Sequence, residues 1–435
     1  MFPITRRRLL QSAFAIPFVW RHHSASARPN ATLRHVSFGG DGMAFSDVNS
    51  LSGHAAFSLK AVAEVDESRL GKIKAKFPNA TVYSDWRKLL DTEKEIDSAN
   101  VSTPDHMHAP IGMSVLKRGL HLYGQKPLTQ TIHEARAMTL AAAARPKQVT
   151  QMGIQIHSHE VHKTVVSAIQ SGVIGKVKAV HSWSGKMWGD KNPRPAKTDF
   201  VPKTLAWDQW LGVANERPFI NGYYHPGEWR KRLDFGTGTF GDMGCHILDP
   251  VYGSLALIAP TKVMSLSDGP NEDSWALETV VSFTFPQTAY TTESLDLTWY
   301  NGPKRPPADV MAMAGLTKWS DQGSVYIGTK GVMSSPYIAM PSIRMNDGSN
   351  GEFKKEKPGN HYYEFIDACL GTGSTSAPFA YAGPLTEFVL LGCLATRFPK
   401  QQLDYDAKTM TIKNVEKANA FVRKSYRKGW EVEGL

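Results

Sequence analysis

Between residues 33 and 152 the chain alternates short apolar segments with segments of helical length that are amphipathic or rich in alanine. Turn-forming Gly, Pro, Asp or Ser follows most of the apolar segments, as is typical where strands end. The predicted strands are Leu33–Phe38, Phe57–Val65, Ser98–Ser102, Leu120–Tyr123 and Gln148–Met152, and the predicted helices are Met43–Leu51, Glu67–Phe77, Ala109–Arg118 and Thr131–Ala144. Strands that alternate with helices of this length predict a parallel, doubly wound sheet.

The pattern changes after Met152, where strand-like segments follow one another between long loops rich in Gly, Pro and Trp. This favours an antiparallel sheet with helices on one face. The predicted strands are Val177–Gly185, Glu278–Phe285, Thr291–Trp299, Ser324–Gly328 and Gly331–Ser334, and the predicted helices are Val161–Ser171, His361–Leu370, Pro384–Arg397 and Val415–Arg427. We therefore predict an α/β protein with a parallel-sheet domain over residues 32–153. An α+β domain with a large, mainly antiparallel sheet follows over residues 154–435.

The excess of positive charge is concentrated at the N-terminus. The formal net charge is +10, and residues 1–27 contribute four arginines and no acid. Consecutive arginines at 6–8, a short apolar run at 9–20 and the small residues Ala25-Ser26-Ala27 predict a twin-arginine export signal. A retained membrane anchor is the alternative, which the shortness of the apolar run disfavours.

Removal of this signal lowers the formal charge from +10 to +6, because four arginines and no acid are lost. No basic stripe with interleaved aromatic residues is evident, so we expect no nucleic-acid partner. We also expect a periplasmic or otherwise exported protein, with no stable membrane insertion after processing.

The cysteines and histidines predict no metal site. Cys245, Cys369 and Cys393 form no CxxC pair, which excludes a disulfide framework and disfavours a thiolate zinc site. Among His157, His159, Glu160 and His162, the spacing of His159 and His162 is compatible with a helix, but no separate carboxylate partner is evident. We therefore interpret them as the polar start of a helix.

The turn after the first strand has an imperfect nucleotide-binding pattern, Ser37-x-Gly39-x-x-Gly42, with Gly40 and Met43 beside it. Glycines here allow close approach of the backbone to a pyrophosphate at the start of a helix. A Gly-rich surface turn would explain the pattern equally well. Glu64, an acid near the end of the second strand, supports the nucleotide hypothesis because it could accept a hydrogen bond from a ribose 2′-hydroxyl. A carboxylate there favours NAD over NADP, although a solvated strand end remains the alternative.

Two further segments could supply chemistry. Lys126 follows the strand Leu120–Tyr123, at the edge of the sheet where a nicotinamide would lie, and could exchange a proton there. Asp242, His246 and Asp249 recur at helical spacing and would share one face. A carboxylate one turn from a histidine can raise its basicity, as a general base requires. A helix cap with a structural histidine is the alternative.

In sequence order, the motifs Ser37–Gly42, Glu64-Val65-Asp66, Ser102–His108, Gln125-Lys126-Pro127, Ile174–Val177 and Asp242-x-x-x-His246-x-x-Asp249 resemble those of the Gfo/Idh/MocA oxidoreductase family. The resemblance covers nearly the whole chain from Leu33 onward. It implies an N-terminal Rossmann domain and a C-terminal domain whose large sheet covers the nicotinamide.

The resemblance also implies roles for individual residues. Lys126, Asp242 and His246 would be catalytic: the histidine accepts a hydroxyl proton, the lysine polarises the same oxygen, and the aspartate orients the histidine or binds a neighbouring hydroxyl. The cofactor would be bound by Ser37, Gly39, Gly40, Gly42, Met43, Glu64, Ser102, Thr103, Pro104, His106, His108, Lys126 and Pro127. The substrate would be bound by Lys126, Asp242, His246, Asp249, Tyr224 and Arg230. Two positions depart from the family pattern, with Ser37 in place of glycine and Gln125 in place of glutamate.

The expected activity is hydride transfer between a tightly bound NAD and a hydroxyl carbon of a sugar, cyclitol or glycoside. One alternative is a glycoside hydrolase that uses bound NAD+ in a transient oxidation and elimination. Another is a non-catalytic sugar-binding protein, which the presence of Lys126, Asp242 and His246 disfavours. A homo-oligomer formed through the C-terminal sheet is also expected from the resemblance.

Overall fold

A computed structural model describes residues 32–435. Its N-terminal part is a six-stranded, entirely parallel sheet with the strand order β3-β2-β1-β4-β5-β6. The strands are β1 (Leu33–Phe38), β2 (Phe57–Ala63), β3 (Thr81–Tyr83), β4 (Ser98–Val101), β5 (His121–Gly124) and β6 (Thr150–Met152). This order reverses direction between β1 and β4, which makes the carboxyl edge of those strands the expected ligand crevice. The predicted doubly wound sheet is confirmed.

The register of the central strands brings three loops to one place. Phe38 at the end of β1 lies opposite Val101 at the end of β4, and Val101 lies opposite Gly124 at the end of β5. The segments after these strands therefore begin at the same level of the sheet. Because the strands themselves are buried, the polar residues that follow them are the first groups of the sheet edge to meet a ligand.

Helices cover both faces of this sheet. They are α1 (Met43–Leu51), α2 (Gly71–Lys76), α3 (Trp86–Thr92), α4 (His108–Lys117) and α5 (Ile132–Ala143). Helix α5 begins with a capping box, in which the Thr131 hydroxyl accepts from the Glu134 N–H and the Glu134 carboxylate accepts from the Thr131 N–H. The predicted helix over Glu67–Phe77 is divided, because residues 67–69 form a 3-10 turn before α2 begins.

The C-terminal part has a nine-stranded sheet with the order β13-β12-β11-β7-β10-β9-β8-β14-β15. Only β7 and β10 pair in parallel, so the predicted mainly antiparallel sheet is confirmed. The strands are β7 (Val177–Ser184), β8 (Lys262–Ser265), β9 (Thr279–Pro286), β10 (Thr291–Asn301), β11 (Gln322–Gly328), β12 (Gly331–Pro336), β13 (Ser342–Met345), β14 (Gln402–Asp406) and β15 (Thr411–Ile412).

The helices of this part are α6 (Glu160–Gln170), α7 (Trp207–Leu211), α8 (Gly238–Ile247), α9 (Asp249–Ser254), α10 (Ala308–Met313), α11 (His361–Cys369) and α12 (Phe379–Ala395). Helix α12 begins five residues before its predicted start and carries Pro384 inside it. The predicted final helix Val415–Arg427 is wrong, because only a 3-10 segment over Glu416–Phe421 forms. Asn419 hydrogen-bonds the backbone of Ile412 in both directions there, which holds the segment in place without a continuous helix.

One apolar core joins the two parts. Helix α12 is buried along almost its whole length and packs against α5, and Arg136 of α5 makes two hydrogen bonds to Glu387 of α12 at 2.6 and 2.7 Å. The largest buried cluster contains side chains of the parallel sheet, of α12 and of the second sheet. Among residues 32–435, no helix is long and apolar enough to cross a membrane. The predicted export signal lies outside the described residues.

Candidate active site

A cleft of about 330 Å3 lies at the carboxyl edge of the parallel sheet. The loops after β1, β4 and β5 form one wall, and residues 225–230 together with Asp242 of α8 form the other. The sheet loops reach the cleft together because their strands end in register. A nucleotide placed along the sheet edge would thus have its far end between the two parts of the chain.

The glycine turn after β1 forms one end of the cleft. A Cβ on Gly39 would lie 2.8 Å from the Ala44 Cβ and 2.9 Å from the Ser102 carbonyl oxygen, and φ is +107° there, so only glycine fits. Gly42 also has positive φ, and nothing lies within 4 Å of where its Cβ would be. Helix α1 has no side-chain cap at Gly42, so its first turn offers N–H groups to an anion, except that of Ala44, which donates to the Asp41 carbonyl oxygen at 3.1 Å.

Ser37 and Gly40 support this turn through hydrogen bonds. The buried Ser37 hydroxyl donates to the Gly39 carbonyl at 2.7 Å, and Ser37 does not line the cleft. The Gly40 N–H donates to the Glu64 carboxylate at 2.8 Å. Serine at position 37 therefore stabilises the turn from beneath, while Met43, which is 42% exposed, lines the cleft directly.

Glu64 lies beside the turn and lines the cleft. Its second carboxylate oxygen accepts from the Asp66 N–H at 3.0 Å. Burial raises the pKa of Glu64, and the two backbone donors oppose that shift by stabilising the charged form. A carboxylate held in this way keeps lone pairs free for a hydroxyl group at the cleft wall.

The loop after β4 contributes Ser102, Thr103, Pro104 and His108 to the cleft wall. The His108 ring bridges two loops, with Nδ1 2.7 Å from the Pro127 carbonyl oxygen and Nε2 2.8 Å from the Thr103 carbonyl oxygen. Pro127 itself lies behind the cleft, where this contact holds its carbonyl.

His106 is not brought to the cleft. Its side chain is fully buried, its Nε2 lies 3.1 Å from the Trp210 carbonyl oxygen, and its ring packs edge-on against Phe235. Burial lowers the pKa of His106 to about 3, so the ring is a neutral core group. In this structure it supports the cleft wall from behind.

Lys126 and Asp242 meet in the cleft, although 116 positions separate them. The Lys126 Nζ donates to the Asp242 Oδ1 and to the Asp242 main-chain carbonyl, both at 2.7 Å. Each side chain is only 11% exposed. The lysine ammonium is therefore held at the sheet edge by the first turns of α8.

Two further cations face the same carboxylate. Arg230 Nε lies 3.6 Å from Oδ1 of Asp242, and Lys186 Nζ lies 3.7 Å from Oδ2. Burial alone would raise the pKa of Asp242, but these cations and above all Lys126 outweigh it and hold that pKa well below its usual range. The carboxylate stays ionised at any working pH, and the surrounding positive charge suits an oxyanion.

His246 lies one turn further along α8, half-buried, with its ring 6.0 Å from that of Tyr337. Burial and the nearby Lys126 lower the pKa of His246 to about 3, so its ring is neutral at pH 7. The ring does not line the 330 Å3 cleft, but a small cavity on its other side.

Asp249 does not share the face predicted for it. Helix α8 ends at Ile247, and Asp249 begins α9 with Pro250 in its first turn, which redirects the side chain into the interior. The Asp249 side chain has no exposed surface, accepts from the Tyr381 hydroxyl at 2.6 Å and lies 3.0 Å from His157 Nδ1. The prediction that it binds substrate is not supported by this position.

Of the two remaining predicted substrate residues, Arg230 lines the cleft and Tyr224 does not. Tyr224 is 1% exposed and belongs to an aromatic cluster with Trp207, Trp210 and Phe235. The sequence reasoning missed Trp210, His225 and Trp229, which do line the cleft. The Trp- and Tyr-rich composition of residues 207–229 was the only signal for them.

Comparison with known protein families agrees with this fold and this site. Residues 36–153 match the Gfo/Idh/MocA family in the part described as an oxidoreductase family with an NAD-binding Rossmann fold, and residues 154–286 match its C-terminal alpha/beta domain. The two matches are consecutive and together span more than half of the chain. The chain belongs to the Gfo/Idh/MocA family of oxidoreductases.

Individual members of the Gfo/Idh/MocA family are only distantly similar. A levoglucosan dehydrogenase of Pseudarthrobacter phenanthrenivorans is 22% identical over 192 residues, which are 44% of this chain and 40% of that protein. A glycosyl hydrolase family 109 protein of Shewanella is 26% identical over 159 residues, 34% of each chain. The chain thus spans less than half the length of these curated relatives.

A solved inositol dehydrogenase homologue of Azotobacter vinelandii, complexed with NADH and myo-inositol, superposes with a TM-score of 0.60 at 15% identity. The match covers 86% of this chain and 98% of that one. It supports the same fold over most of the chain.

The Gfo/Idh/MocA chain described here departs from the family at Gln125, and the structure shows what accompanies that change. The Gln125 Nε2 donates to the buried Asp47 carboxylate at 3.0 Å, and its Oε1 accepts from the Lys126 N–H at 3.0 Å. Asp47 also accepts from the Ser102 and Tyr362 hydroxyl groups. A buried carboxylate, that of Asp47, is therefore present near Lys126, and Gln125 lies between the two. Asp47 was missed because it lies on α1 beyond the glycine motif, and nothing in the sequence indicated that it would contact Gln125.

The residues at the cleft fit a dinucleotide. The uncapped start of α1 provides N–H groups for phosphates, the glycine turn allows a phosphate to approach the backbone closely, and the Glu64 carboxylate lies where a ribose hydroxyl would bind. The ammonium of Lys126 lies at the opposite end of the same cleft. A dinucleotide bound here would run along the cleft from the glycine turn toward Lys126, which is the direction that the Gfo/Idh/MocA pattern requires.

Proposed function

We propose that this protein is an NAD-dependent oxidoreductase that transfers hydride between the cofactor and a hydroxyl-bearing carbon of a sugar, cyclitol or glycoside. The observation that carries the proposal is the Lys126–Asp242 pair, which lies in the same cleft as the glycine turn and Glu64. Relatives with the names levoglucosan dehydrogenase and inositol 2-dehydrogenase act on substrates of this chemical class.

When bound, the nicotinamide would exchange the hydride with the substrate carbon. Lys126 supplies a positive charge to the substrate oxygen, and Asp242 fixes that ammonium through a side-chain and a main-chain acceptor. His246 is the proposed base: its ring is neutral at pH 7, and it would take the hydroxyl proton after turning from the small cavity that it lines toward the cleft. Arg230 and the neighbouring Trp229 offer a charged group and an aromatic face for further hydroxyl groups.

The test is a turnover assay with purified protein and a panel of polyols that includes levoglucosan, myo-inositol and simple glycosides. We expect NADH formation, or reduction of a matched ketose with NADH, with at least one of them. Lys126→Met and His246→Gln should each lower kcat by at least 100-fold while NAD affinity changes little. His54→Gln, which lies before β2 at the opposite edge of the sheet and pairs with Asp367, is the control. Turnover unchanged in both site variants would refute the assignment.

We also propose that the cofactor is NAD and that it stays bound between turnovers. The Glu64 carboxylate would repel a 2′-phosphate, and the neighbouring Arg69 is engaged by Asp41 at 2.7 Å. Mass spectrometry of nucleotide released from the native protein should find NAD(H) near one equivalent. Glu64→Ala should weaken NAD binding about tenfold, whereas recovery of NADP would contradict the proposal.

A second candidate is an NAD-dependent glycoside hydrolase, which the similarity to glycosyl hydrolase family 109 proteins favours. Transient oxidation would acidify a neighbouring C–H, so the same Lys126 and His246 would serve, and no pair of separated carboxylates is needed. Cleavage of aryl glycosides without net NADH, by protein that already holds its nucleotide, would support this candidate. Net NADH formation without cleavage would support the dehydrogenase.

We further propose export through the twin-arginine route, since residues 6–8 are consecutive arginines. Replacing Arg6, Arg7 and Arg8 with lysine should retain the protein inside the cell, and fractionation with immunoblotting measures this.

A homo-oligomer through the open face of the nine-stranded sheet is proposed as well. Light scattering after gel filtration would decide it, and a monomer at micromolar concentration would refute it.

A further inference from the structure

A second cavity lies behind one wall of the cleft. Its volume is about 320 Å3, close to the 330 Å3 of the cleft, and no residue lines both spaces. It is bordered by the start of α5, the end of α12 and the segments 213–215, 233–237 and 420–425. Thr237 lines this cavity and its hydroxyl donates to Asp105 of the cleft at 2.7 Å, so the two spaces share a wall. Small-molecule sites typically occupy about 300–1,000 Å3, so the cavity is large enough for a ligand.

The cavity is lined by an arginine that has no counter-ion. Arg397 follows α12, and its half-buried guanidinium has no hydrogen-bond acceptor and no paired carboxylate among residues 32–435. Burial lowers the pKa of Arg397, and the more distant Asp234 opposes that shift. A guanidinium that has lost water without gaining an acceptor is costly to keep, and its five N–H donors are available to a ligand.

Two aromatic rings hold this guanidinium in place. The Arg397 Cζ lies 5.1 Å from the ring centre of Trp275 and 4.7 Å from that of Phe421. Such contacts use the positive charge of the guanidinium but none of its N–H groups. Trp275 is itself fixed, because its indole N–H donates to the Gly236 carbonyl oxygen at 3.0 Å. The guanidinium is therefore positioned in advance, which lowers the cost of binding an anion.

The charged groups of the lining are mainly positive. The three cations are Arg397, Arg423 and Lys424, and Asp234 is the only acid that lines the cavity. Asp234 already forms an ion pair with Arg217. Arg423 and Lys424 each donate to acceptors of their own, at 2.7 and 2.6 Å. Arg397 is therefore the cation that an anion in this cavity would neutralise.

The rest of the lining favours an organic anion over an inorganic one. Ile132, Val213, Leu390 and Leu394 line the cavity, and each is at most 4% exposed. Apolar side chains at a cavity wall pack against the carbon atoms of a ligand. A carboxylate matches the planar guanidinium, because two parallel N–H···O bonds can join them. The lining can thus satisfy one carboxylate and an apolar body attached to it.

We propose that this cavity is a second ligand site, which binds a small organic carboxylate through Arg397. The carboxylate oxygens accept from the guanidinium N–H groups, and the carbon skeleton packs on the apolar side chains. Because no residue lines both the cavity and the cleft, the proposal does not depend on the proposed function. Binding can be measured without turnover.

Calorimetry on the protein as purified tests the proposal with benzoate, benzyl alcohol and inorganic phosphate. Benzyl alcohol retains the apolar ring without the charge, and phosphate retains the charge without the apolar body. We expect one equivalent of benzoate to bind, and the other two probes to bind at least tenfold more weakly. Added NAD should leave the benzoate affinity unchanged. Phosphate that binds as tightly as benzoate, or benzoate that NAD displaces, would overturn the proposal.

A matched pair of variants assigns the binding to Arg397. Arg397→Gln should weaken benzoate binding at least tenfold, and Arg397→Lys, which keeps the charge but not the planar fork, should give an intermediate affinity. Arg344→Gln removes an exposed arginine on β13, at the opposite edge of the nine-stranded sheet from β15, and is the control. Equal benzoate affinity in wild type and Arg397→Gln would overturn the proposal.

The location of the ligand gives a separate readout that needs no variant. Crystals of the wild-type protein soaked in 4-bromobenzoate should show the anomalous signal of bromine in the second cavity, near Leu390 and Leu394. This result decides the proposal even if Arg397→Gln does not fold. A bromine signal in the cleft alone, or no bromine signal in either place, would overturn it.

Discussion

Removing one charge of the Lys126–Asp242 pair should cost more stability than removing both. The single variants are Lys126→Met and Asp242→Asn, which keep side-chain volume close to that of the wild type. Each leaves the remaining group buried without its partner, and in Asp242→Asn the cations of Arg230 and Lys186 also lose their counter-ion. The double variant removes both charges of the buried pair and leaves Arg230 and Lys186 without the carboxylate, as Asp242→Asn alone does.

The expected loss of stability follows from the burial of the two side chains and from the hydrogen bonds between them. Both side chains are 11% exposed and two 2.7 Å hydrogen bonds join them, so this is a buried pair rather than a surface one. Breaking such a pair costs about 3–5 kcal/mol, whereas replacing both members with uncharged groups is often close to neutral. The double-mutant cycle should therefore give a coupling free energy of at least about 2 kcal/mol.

Urea denaturation at pH 7, with nucleotide removed, measures the four free energies of unfolding. The pH dependence gives an independent check. Because the pKa of Asp242 is lower in the folded state than its usual 3.8, its contribution is fully present above that value and is lost as the pH falls below it. The difference in unfolding free energy between wild type and Asp242→Asn should therefore become smaller as the pH is lowered from 5 to 3. Additive single effects, or a deficit independent of pH, would refute the reasoning.

Three other changes test the surroundings of the site. Gly39→Ala should lower the free energy of unfolding by about 2–4 kcal/mol and abolish NAD binding, because the new Cβ would lie 2.8 Å from the Ala44 Cβ. Calorimetry measures both effects, and a variant that still binds NAD would contradict the prediction. Burial raises the pKa of Asp47 to about 6, so protonation favours the folded state. Wild type should therefore gain roughly 1 kcal/mol relative to Asp47→Asn between pH 7 and pH 5 in urea melts, and a constant difference would be evidence against this. Thr131→Ala should cost about 1 kcal/mol through loss of the α5 cap, with Thr131→Ser as the control that retains it.

The parallel domain could be predicted from the sequence because its main strands are short, mostly buried segments that alternate regularly with segments of helical length. Strand β1 and helix α1 have the predicted bounds, and the start of α5 was visible in Thr131 and Glu134. Strand β3 was missed because its three residues are largely exposed and carry no apolar run. Strands β14 and β15 were missed for a related reason, since each is short and only partly buried.

The site could be predicted in part. Position along the chain placed Lys126 at the sheet edge, and the motif placed Asp242 on a helix, but nothing in the sequence showed that the two would touch. Helical periodicity failed at Asp249, because the helix is interrupted at Leu248 and a new one starts with Pro250 in its first turn. Such an interruption changes the direction of a side chain without changing the hydrophobic pattern.

The shared core around α12 has a consequence for how a nucleotide gets in and out. Because the two sheets are packed through one continuous apolar cluster, a hinge between them would have to expose buried side chains of both. The wall formed by residues 225–230 instead consists of a short 3-10 turn and loops, which can be displaced at lower cost. We therefore expect nucleotide to enter and leave by movement of this short segment of chain, while the two sheets stay fixed relative to each other.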